Sequence, residues 1–527
     1  MSAATPPVPT RDTTPTAVGI TVDSPTSHRE PRHPGLDADV IAGLRNASKL
    51  GLSLMGTWGV ALVVRVLLPR QLGPALFGAF QFADAFSSAL FVLATLGIET
   101  YVRKEVAIRR EHAAEFYGGV LVLRLVLCIL LVIVAVVGLM MAGKPPLVLR
   151  LVLVLASMQF FVMQNATYAA LLHAVGKVDG LSVLNVASKL IWGGGALVGL
   201  LSGGGVVSVA TAMLVSEVLK MVGLEVLVRR HFALRPRIDV RATLNVIVGS
   251  MPFFATGLSQ ALAGKINVSL MSFLASDMEI GWYGAASSIA GIAMLLSPLL
   301  GWVLLPLTAR AESRSSDELT TLTRRAMMLV LTVAVPITLM LGLSADVIVS
   351  TLFGSAFTPA TLSLRVLAPT FVLTYVGIVS SGALIGQGRS WTVTVILLSG
   401  LVLSPLMNWL LIPRTLAALG AGGAGVGAGI ALNVTEAFNA TALTIALGNR
   451  AFDRRARLTL VKMALACVIV VAVDRLALSG YGASRLVADA LLYTALVTLW
   501  KAGDHMALIR ILTQTLRRRT THHATAV

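Results

Sequence analysis

The stretch YGGVLVLRLVLCILLVIVAVVGLMMA, residues Tyr117–Ala142, determines the class of fold. It carries one charged side chain, Arg124, and is otherwise almost entirely apolar. A helix that crosses a bilayer needs roughly 20 mostly apolar residues, because the hydrocarbon core is about 30 Å thick. The stretch therefore predicts a membrane-spanning helix.

Similar apolar runs recur along the whole chain with short connections between them. They predict an all-α polytopic membrane protein with about 14 transmembrane helices. The predicted spans are residues 48–69, 76–98, 117–142, 147–172, 181–202, 206–228, 244–275, 280–307, 326–353, 362–387, 391–412, 424–447, 458–479 and 484–502.

The composition agrees with this class. Hydrophobic residues make up 56% of the chain and charged residues 13%, and the mean hydropathy is +0.84. A net charge of +17 would indicate nucleic acid binding in a soluble protein, but in a membrane protein it is first an orientation signal. Cys128 and Cys467 lie inside apolar runs, and the histidines are scattered. We expect no disulfide, no metal site, no cofactor and no nucleic acid partner.

Basic residues are distributed unevenly between alternate connections. One set of connections carries 19 Lys and Arg residues and the other set carries six. Because basic loops stay in the cytoplasm, the richer side is predicted to be cytoplasmic. Both termini are then predicted to lie in the cytoplasm.

The spans and connections divide the chain into six predicted segments. Residues 1–35 are rich in Pro, Thr and Ser and are predicted to be a disordered tail. The remaining segments are a six-helix lobe with an interfacial lead-in (36–228), a cytoplasmic linker (229–243), a second six-helix lobe (244–447), two additional helices (448–502) and a basic cytoplasmic tail (503–527).

An internal repeat relates the two lobes. Phe77-Gly-Ala-Phe80 recurs as Ile280-Gly-Trp-Tyr283, and Leu214-Val-Ser-Glu217 resembles Asn433-Val-Thr-Glu436. Both pairs are separated by a little over two hundred residues, so spans 1–6 correspond to spans 7–12. Six spans restore the orientation, which predicts a parallel repeat with a substrate site between the halves.

The sequence gives little support to an enzyme. The non-cytoplasmic connections are short, whereas a membrane glycosyltransferase or polymerase usually carries a sizeable external loop with acidic catalytic residues. No paired-carboxylate motif, nucleophile elbow or phosphate loop stands out. The glycine-rich stretches 203–205 and 420–429 lie at helix ends, where tight turns and close helix packing explain them.

Several motifs resemble Wzx-type polysaccharide-export flippases of the multidrug/oligosaccharidyl-lipid/polysaccharide (MOP) exporter superfamily. They are Leu72-Gly-Pro-Ala-Leu-Phe-Gly78, Leu96-Gly-Ile-Glu99, Arg103-Lys-Glu-Val-Ala107, Leu352-Phe-Gly-Ser-Ala-Phe357, Leu364-Arg-Val-Leu-Ala-Pro369, Gly386-Gln-Gly-Arg389, Asn408-Trp-Leu-Leu-Ile-Pro413 and Gly425-Val-Gly-Ala-Gly429. The resemblance covers roughly residues 45–450.

This resemblance implies two six-helix lobes around a central cavity, with two extra C-terminal helices. It also implies a non-enzymatic flippase that moves an undecaprenyl-pyrophosphate-linked oligosaccharide from the inner to the outer leaflet. The implied partners are that lipid-linked substrate, membrane lipids and other polysaccharide assembly proteins. The family often has Arg-x-Asp in span 7; here the segment reads Lys265-Ile-Asn267, which keeps a cation and loses the acid.

Charged residues within the spans are the candidate site, because an unpaired charge in a bilayer costs several kcal/mol. Arg65, Lys189 and Lys265 all lie in odd-numbered spans and predict a cationic cavity that binds pyrophosphate. The structural alternative for Arg65 is snorkelling or an ion pair with Asp84, which lies at similar depth. Arg124, near the cytoplasmic end of its span, is predicted to snorkel.

The acids within the spans have two interpretations. Asp84, Glu217 and Glu436 are candidates for ion coupling or for structural pairing, with Lys220 as the expected partner of Glu217. Polar amides are candidates for sugar contacts, although interhelical hydrogen bonds are their commoner use. These amides are Asn185, Gln260, Asn267 and Asn408.

Two relatives with the same fold remain open alternatives. A lipid II flippase of the cell-wall pathway is the closer relative, and the sequence alone does not separate it from an oligosaccharide flippase. A drug/cation antiporter needs an acidic or apolar cavity to attract cationic drugs, so a basic cavity argues against it. A membrane glycosyltransferase or polymerase is less favoured.

Overall fold

A computed structural model describes most of the chain. The described residues are 34–99, 101–102, 106, 113–175, 177, 179–232, 239–263, 265–293, 308, 315–448, 451–478 and 480–502. Within these ranges the chain is helical and contains no strand. The predicted N-terminal tail, residues 1–33 in particular, lies outside the described residues.

The first lobe contains five helices in the described residues. They are α1 (Pro34–Phe91), α2 (Ala113–Met141), α3 (Pro146–Ala174), α4 (Asp179–Leu201) and α5 (Gly205–Phe232). Helix α1 combines the lead-in with the first two predicted spans. Gly73, with φ of 74° and ψ of 170°, interrupts the helical backbone between its two arms, and Pro74 follows it, so α1 turns back across the membrane at this point.

The second lobe and the C-terminal pair follow in order. The second lobe contains α6 (Val240–Ala263), α7 (Ile266–Leu274), α8 (Asp277–Ala293), α9 (Ser316–Leu343), α10 (Ala345–Phe353), α11 (Ala360–Leu367), α12 (Thr370–Gly386), α13 (Ser390–Leu419) and α14 (Gly423–Leu447). The C-terminal pair is α15 (Arg454–Val473), extended by a π-helical turn over Asp474–Leu478, and α16 (Arg485–Leu499).

Length and hydropathy make this a multi-pass membrane protein. In the part of the chain that the structure describes, 11 helical segments are long and apolar enough to cross a membrane. The other three predicted spans correspond to the first arm of α1, to the interrupted pair α6 and α7, and to α8. Trp391 and Trp409 both point outward from α13, each 76% exposed. They are separated by about 27 Å along the helix, which matches the spacing of aromatic belts at the two membrane interfaces.

The two lobes meet at one face of the membrane. We call it the opposite face, because the start of the first helix and the end of the last helix lie at the other face. Gly78 of α1 and Gly281 of α8 occupy equivalent positions of the repeat. A methyl group on Gly78 would overlap the carbonyl oxygen of Asp277, and one on Gly281 would overlap that of Pro74. Each glycine therefore packs against a backbone carbonyl group of the other lobe, which belongs to the residue four positions before the partner glycine. The backbones of the two lobes are in contact at this point.

A lysine from the first lobe reinforces this contact. Gly143, with φ of +68°, ends α2 in a Schellman motif in which the Lys144 N–H donates to Leu139 O at 3.1 Å. Lys144 Nζ donates to the carbonyl of Ser272 at 2.5 Å. It also lies 5.2 Å from the ring centroids of both Phe82 and Phe273, one from each lobe. The opposite face is closed in this structure.

Candidate functional site

A pair of opposite charges joins the lobes at mid-depth. Lys265 Nζ, between α6 and α7, donates to Asp84 Oδ2 of α1 at 2.7 Å. Each residue lies about ten residues, or about 15 Å, from the opposite face. The side chains are 39% and 21% exposed, so both members of the pair are partly accessible.

Lys265 owes its position to an interruption in the helix. The backbone leaves α6 after Ala263 and re-enters a helix at Ile266, and the Lys265 N–H donates to Leu262 O at 3.0 Å. Non-helical backbone at membrane depth is tolerated only where protein covers it or water reaches it. Secondary transporters build their midplane sites from discontinuous helices of this kind.

Arg65 supplies a second positive charge near the same acid. Its side chain is exposed, its Nη1 lies beside Gly291 of α8, and its electrostatic partner is Asp84. The structure thus brings Arg65, Asp84 and Lys265 together at the lobe interface. Arg65 thus interacts with Asp84 electrostatically, as the structural alternative for Arg65 proposed, and the direct hydrogen bond to Asp84 comes from Lys265.

A second polar group lies inside the first lobe. Lys189 Nζ of α4 is 3.9 Å from Glu217 Oε1 of α5 and 5.4 Å from the ring centroid of Trp192. Asn165 Nδ2 of α3 donates to Glu217 Oε2 at 2.9 Å. Lys220 interacts with Glu217 only electrostatically, so the predicted ion pair within the helix is replaced by contacts between helices.

The remaining candidate acid occupies the equivalent place in the second lobe. Glu436 of α14 is half-buried, and Thr374 Oγ1 of α12 donates to its Oε2 at 3.0 Å. Glu217 and Glu436 thus each accept a hydrogen bond from the fourth span of their own lobe. The repeat that the sequence indicated extends to these contacts.

Two of the candidate amides form one buried network. Asn267 Oδ1 accepts hydrogen bonds from Ser404 Oγ and from Asn408 Nδ2, each at 2.8 Å. Asn267 and Asn408 are 2% and 0% exposed, so in this conformation they join α7 to α13. Asn185 is half-buried on α4, one turn before Lys189. The side chain of Gln260 lies outside the described residues.

Comparison with solved structures identifies the architecture. A structure described as lipid II flippase MurJ in an inward closed conformation superposes with a TM-score of 0.59 at 14% identity, covering 84% of this chain and 98% of that one. An inward-facing multidrug resistance MATE family transporter of the MOP superfamily gives 0.59 at 17% identity, covering 77% and 98%. An outward-facing MATE family transporter gives 0.52 at 18% identity, covering 77% and 96%.

The fold, two pseudo-symmetric lobes with two further helices, is the all-helical fold of these solved transporters. A sequence profile of the family described as polysaccharide biosynthesis protein matches residues 44–312, which is 269 of the 527 residues. The chain belongs to this family, and the resemblance seen in its motifs is confirmed. A search of curated proteins found no match.

Proposed function

We propose that this protein is a flippase that moves an undecaprenyl-pyrophosphate-linked oligosaccharide across the bacterial cytoplasmic membrane. The observation that supports this most is the group at the lobe interface, where Arg65 and Lys265 face a single acid, Asp84. Two cations against one carboxylate leave an excess positive charge at mid-depth. An anionic head group satisfies that charge, whereas a cationic drug is repelled by it.

The geometry suggests how the head group is bound. Asp84 neutralises Lys265 while no substrate is present, which avoids an unpaired charge within the membrane. A pyrophosphate that enters from the cytoplasm adds to Arg65 and replaces Asp84 as the acceptor of the Lys265 ammonium. Charge-assisted hydrogen bonds of this kind are about twice as strong as neutral ones. The polyprenyl chain stays in lipid throughout.

The closed opposite face gives the direction of access. With both termini in the cytoplasm, the glycine contact and Lys144 close the external side, and the site is reached from the cytoplasmic side. Separation of the lobes at Gly78 and Gly281 then exposes the site externally. Alternating access requires no covalent chemistry in this scheme, so the protein acts as a transporter.

The binding assignment is tested with single and double variants. Lys265→Ala and Arg65→Ala should each reduce export at least about tenfold, because a hydrogen bond to a charged group contributes about 1.5–3 kcal/mol. Lys265→Arg keeps the cation and should retain more export than Lys265→Ala. The matched control is Lys177→Ala, which removes an exposed lysine outside the spans. Normal export by the Lys265→Ala, Arg65→Ala double variant, at equal amounts of folded protein, would falsify the assignment.

The substrate is tested in a strain that lacks the protein. Accumulation of lipid-linked oligosaccharide repeat units on the cytoplasmic leaflet supports the proposal. Accumulation of lipid II instead indicates the cell-wall alternative, for which the similarity in fold to MurJ is the supporting observation. Increased sensitivity to cationic drugs with neither lipid accumulating contradicts both and indicates an antiporter.

A further inference from the structure

A charged network lies where the C-terminal helices meet the second lobe. Arg485, the first residue of α16, donates through Nη2 to both carboxylate oxygens of Asp346 in α10, at 2.8 Å each. Its Nε lies 3.4 Å from Asp474 Oδ1 in the π-helical turn after α15. Arg365 of α11 lies 3.5 Å from Asp346. Two arginines therefore balance two aspartates.

A third carboxylate is directed into this balanced network. Asp489 lies one helical turn after Arg485 on α16 and is 0% exposed. Its side chain contacts that of Asp474, which is itself 3% exposed. No hydrogen-bond donor in the described residues reaches either oxygen of Asp489. Two ionised carboxylates cannot donate to each other, and Arg485, the cation next to Asp474, is shared with Asp346.

The surroundings that the structure describes do not supply another positive charge. Helices α9, α15 and α16 join in a hydrophobic cluster that includes Val470, one turn before Asp474, and Tyr493, one turn after Asp489. Among the described residues, the charged groups that act on Asp489 are Asp474 and Arg485. Two guanidinium groups thus face three carboxylates, which leaves one excess negative charge, and the two carboxylates in contact, Asp474 and Asp489, are 3% and 0% exposed. A buried charge is tolerated only when it is paired, so the site requires one more positive charge.

We propose that Asp474 and Asp489 form a binding site for one monovalent cation, a proton or a sodium ion. A proton would let one carboxyl group donate to the other, and a sodium ion would be bound by their oxygens. The charge balance favours a single positive charge, because a divalent ion would leave the network positive. The π-helical turn at Asp474 is a feature that recurs at functional sites.

The network reaches water through Asp346 at the opposite face. Asp346 is 43% exposed and lines a cleft of about 240 Å³ together with Ser350, Thr358 and Thr361. Arg485 connects Asp346 to Asp474. In the proposed orientation the cation comes from the external solution. The site lies on the two helices beyond the second lobe, so it is independent of Lys265 and Asp84, and its test needs no transport substrate.

The test uses the purified full-length protein in lipid nanodiscs. The infrared carbonyl band of a protonated carboxyl group is recorded at neutral pH, and thermal stability is compared in sodium chloride and in choline chloride at equal ionic strength. The variants are Asp489→Asn and Asp474→Asn, either of which restores charge balance. The control is Asp317→Asn, which neutralises an exposed acid at the start of α9.

A protonated-carboxyl band that Asp489→Asn abolishes and sodium does not change identifies the cation as a proton. A stabilisation by sodium over choline that Asp489→Asn abolishes identifies it as sodium. Asp474→Asn should act in the same way if Asp489→Asn does not fold, and Asp317→Asn should behave as the wild type. If neither the band nor the sodium effect differs between the wild type and both asparagine variants, the site does not exist.

Discussion

At the scale of single residues, burial decides which partner a charge finds. The sequence identified Lys265, Arg65 and Asp84 as charges at similar depth, because position along a span gives depth directly. It did not identify Lys265 as the donor to Asp84, since that depends on how two helices 181 residues apart approach each other. Asn165 was missed for the same reason, as an asparagine in an apolar run carries no sign of its acidic partner Glu217.

Arg124 shows the limit of an argument from depth alone. Its predicted snorkelling is wrong, since the side chain is 0% exposed. The guanidinium donates to Met163 O at 2.9 Å, to Thr95 O at 3.0 Å and to Glu99 Oε1 at 3.1 Å. A snorkelling arginine needs a free path to the interface, and α3 together with the segment after α1 occupies that path. Arg124 instead ties these segments together.

Lys144 is the residue whose charge responds to closure of the opposite face. Burial lowers the pKa of its ammonium group below the usual 10.5, and Asp277 offsets part of this effect. Its contacts with Phe82, Phe273 and Ser272 come from both lobes, so separation of the lobes returns the ammonium to water. The closed state then binds the proton less tightly than the open state does.

Raising the pH should therefore favour closure. Below the lowered pKa, Lys144 is charged in both states, and closure carries the full cost of removing the ammonium group from water. As the pH rises through that pKa toward 10.5, the closed state holds a neutral amine and this cost disappears. Spin labels at Ser202 and Ala418, both exposed at the opposite face, with Cys128 and Cys467 replaced by alanine, report the distance between the lobes. The fraction with a short distance should rise with pH in the wild type and stay constant in Lys144→Met. A fall in that fraction with pH would contradict the assigned role.

At the scale of helices, the length of the apolar runs and the internal repeat predicted the spans, whereas the interruptions within helices were not predicted. Runs of apolar residues located the spans because each membrane crossing must satisfy its own backbone hydrogen bonds. The break before Lys265 and the junction at Ser344 between α9 and α10 each fall inside one predicted span, because the polar residues there were too few to divide the apolar run into two helices. The glycine in each copy of the repeated motif was visible in sequence, whereas the contact between Gly78 and Gly281 required the structure.

Replacing Gly78 should prevent closure of the opposite face. A Cβ there meets the backbone of Asp277, which cannot move aside as a flexible side chain does. Gly78→Ala should therefore shift the same spin-label pair to longer distances, with the ratio of closed to open molecules reduced about five- to 150-fold, since overpacking typically costs about 1–3 kcal/mol.

Gly138→Ala is the matched control for this change. Gly138 is also a helical glycine, in α2, and a Cβ there meets nothing within 4 Å. This variant should keep the wild-type distance and gain up to about 1 kcal/mol in helix stability. Equal distances in Gly78→Ala and the wild type would mean that the two glycines do not control closure.

At the scale of the whole molecule, the two-lobed architecture was predictable and the ion network was not. A parallel repeat of six spans requires two similar lobes, so the motifs were enough to place them. The network of Arg485, Asp346 and Asp474 joins segments from three separate parts of the chain. In sequence each of these residues lies near a span end, where charged residues are common and carry no specific signal.

The distribution of basic residues predicts the orientation of the whole molecule in the membrane. Alternate connections carry 19 and six basic residues, and the richer side should be cytoplasmic because the positive-inside bias sets topology. Two exposed positions on opposite faces test this in a cysteine-free background: Arg414→Cys near the end of α13 and Arg325→Cys in the first turns of α9. A membrane-impermeant maleimide applied to intact spheroplasts should label position 414 at once and position 325 only after permeabilisation. The reverse pattern would place the closed face in the cytoplasm, so that the pyrophosphate site would be open to the exterior. Labelling of both positions from outside would contradict the fourteen-span topology, since an odd number of membrane crossings separates positions 325 and 414 in that topology.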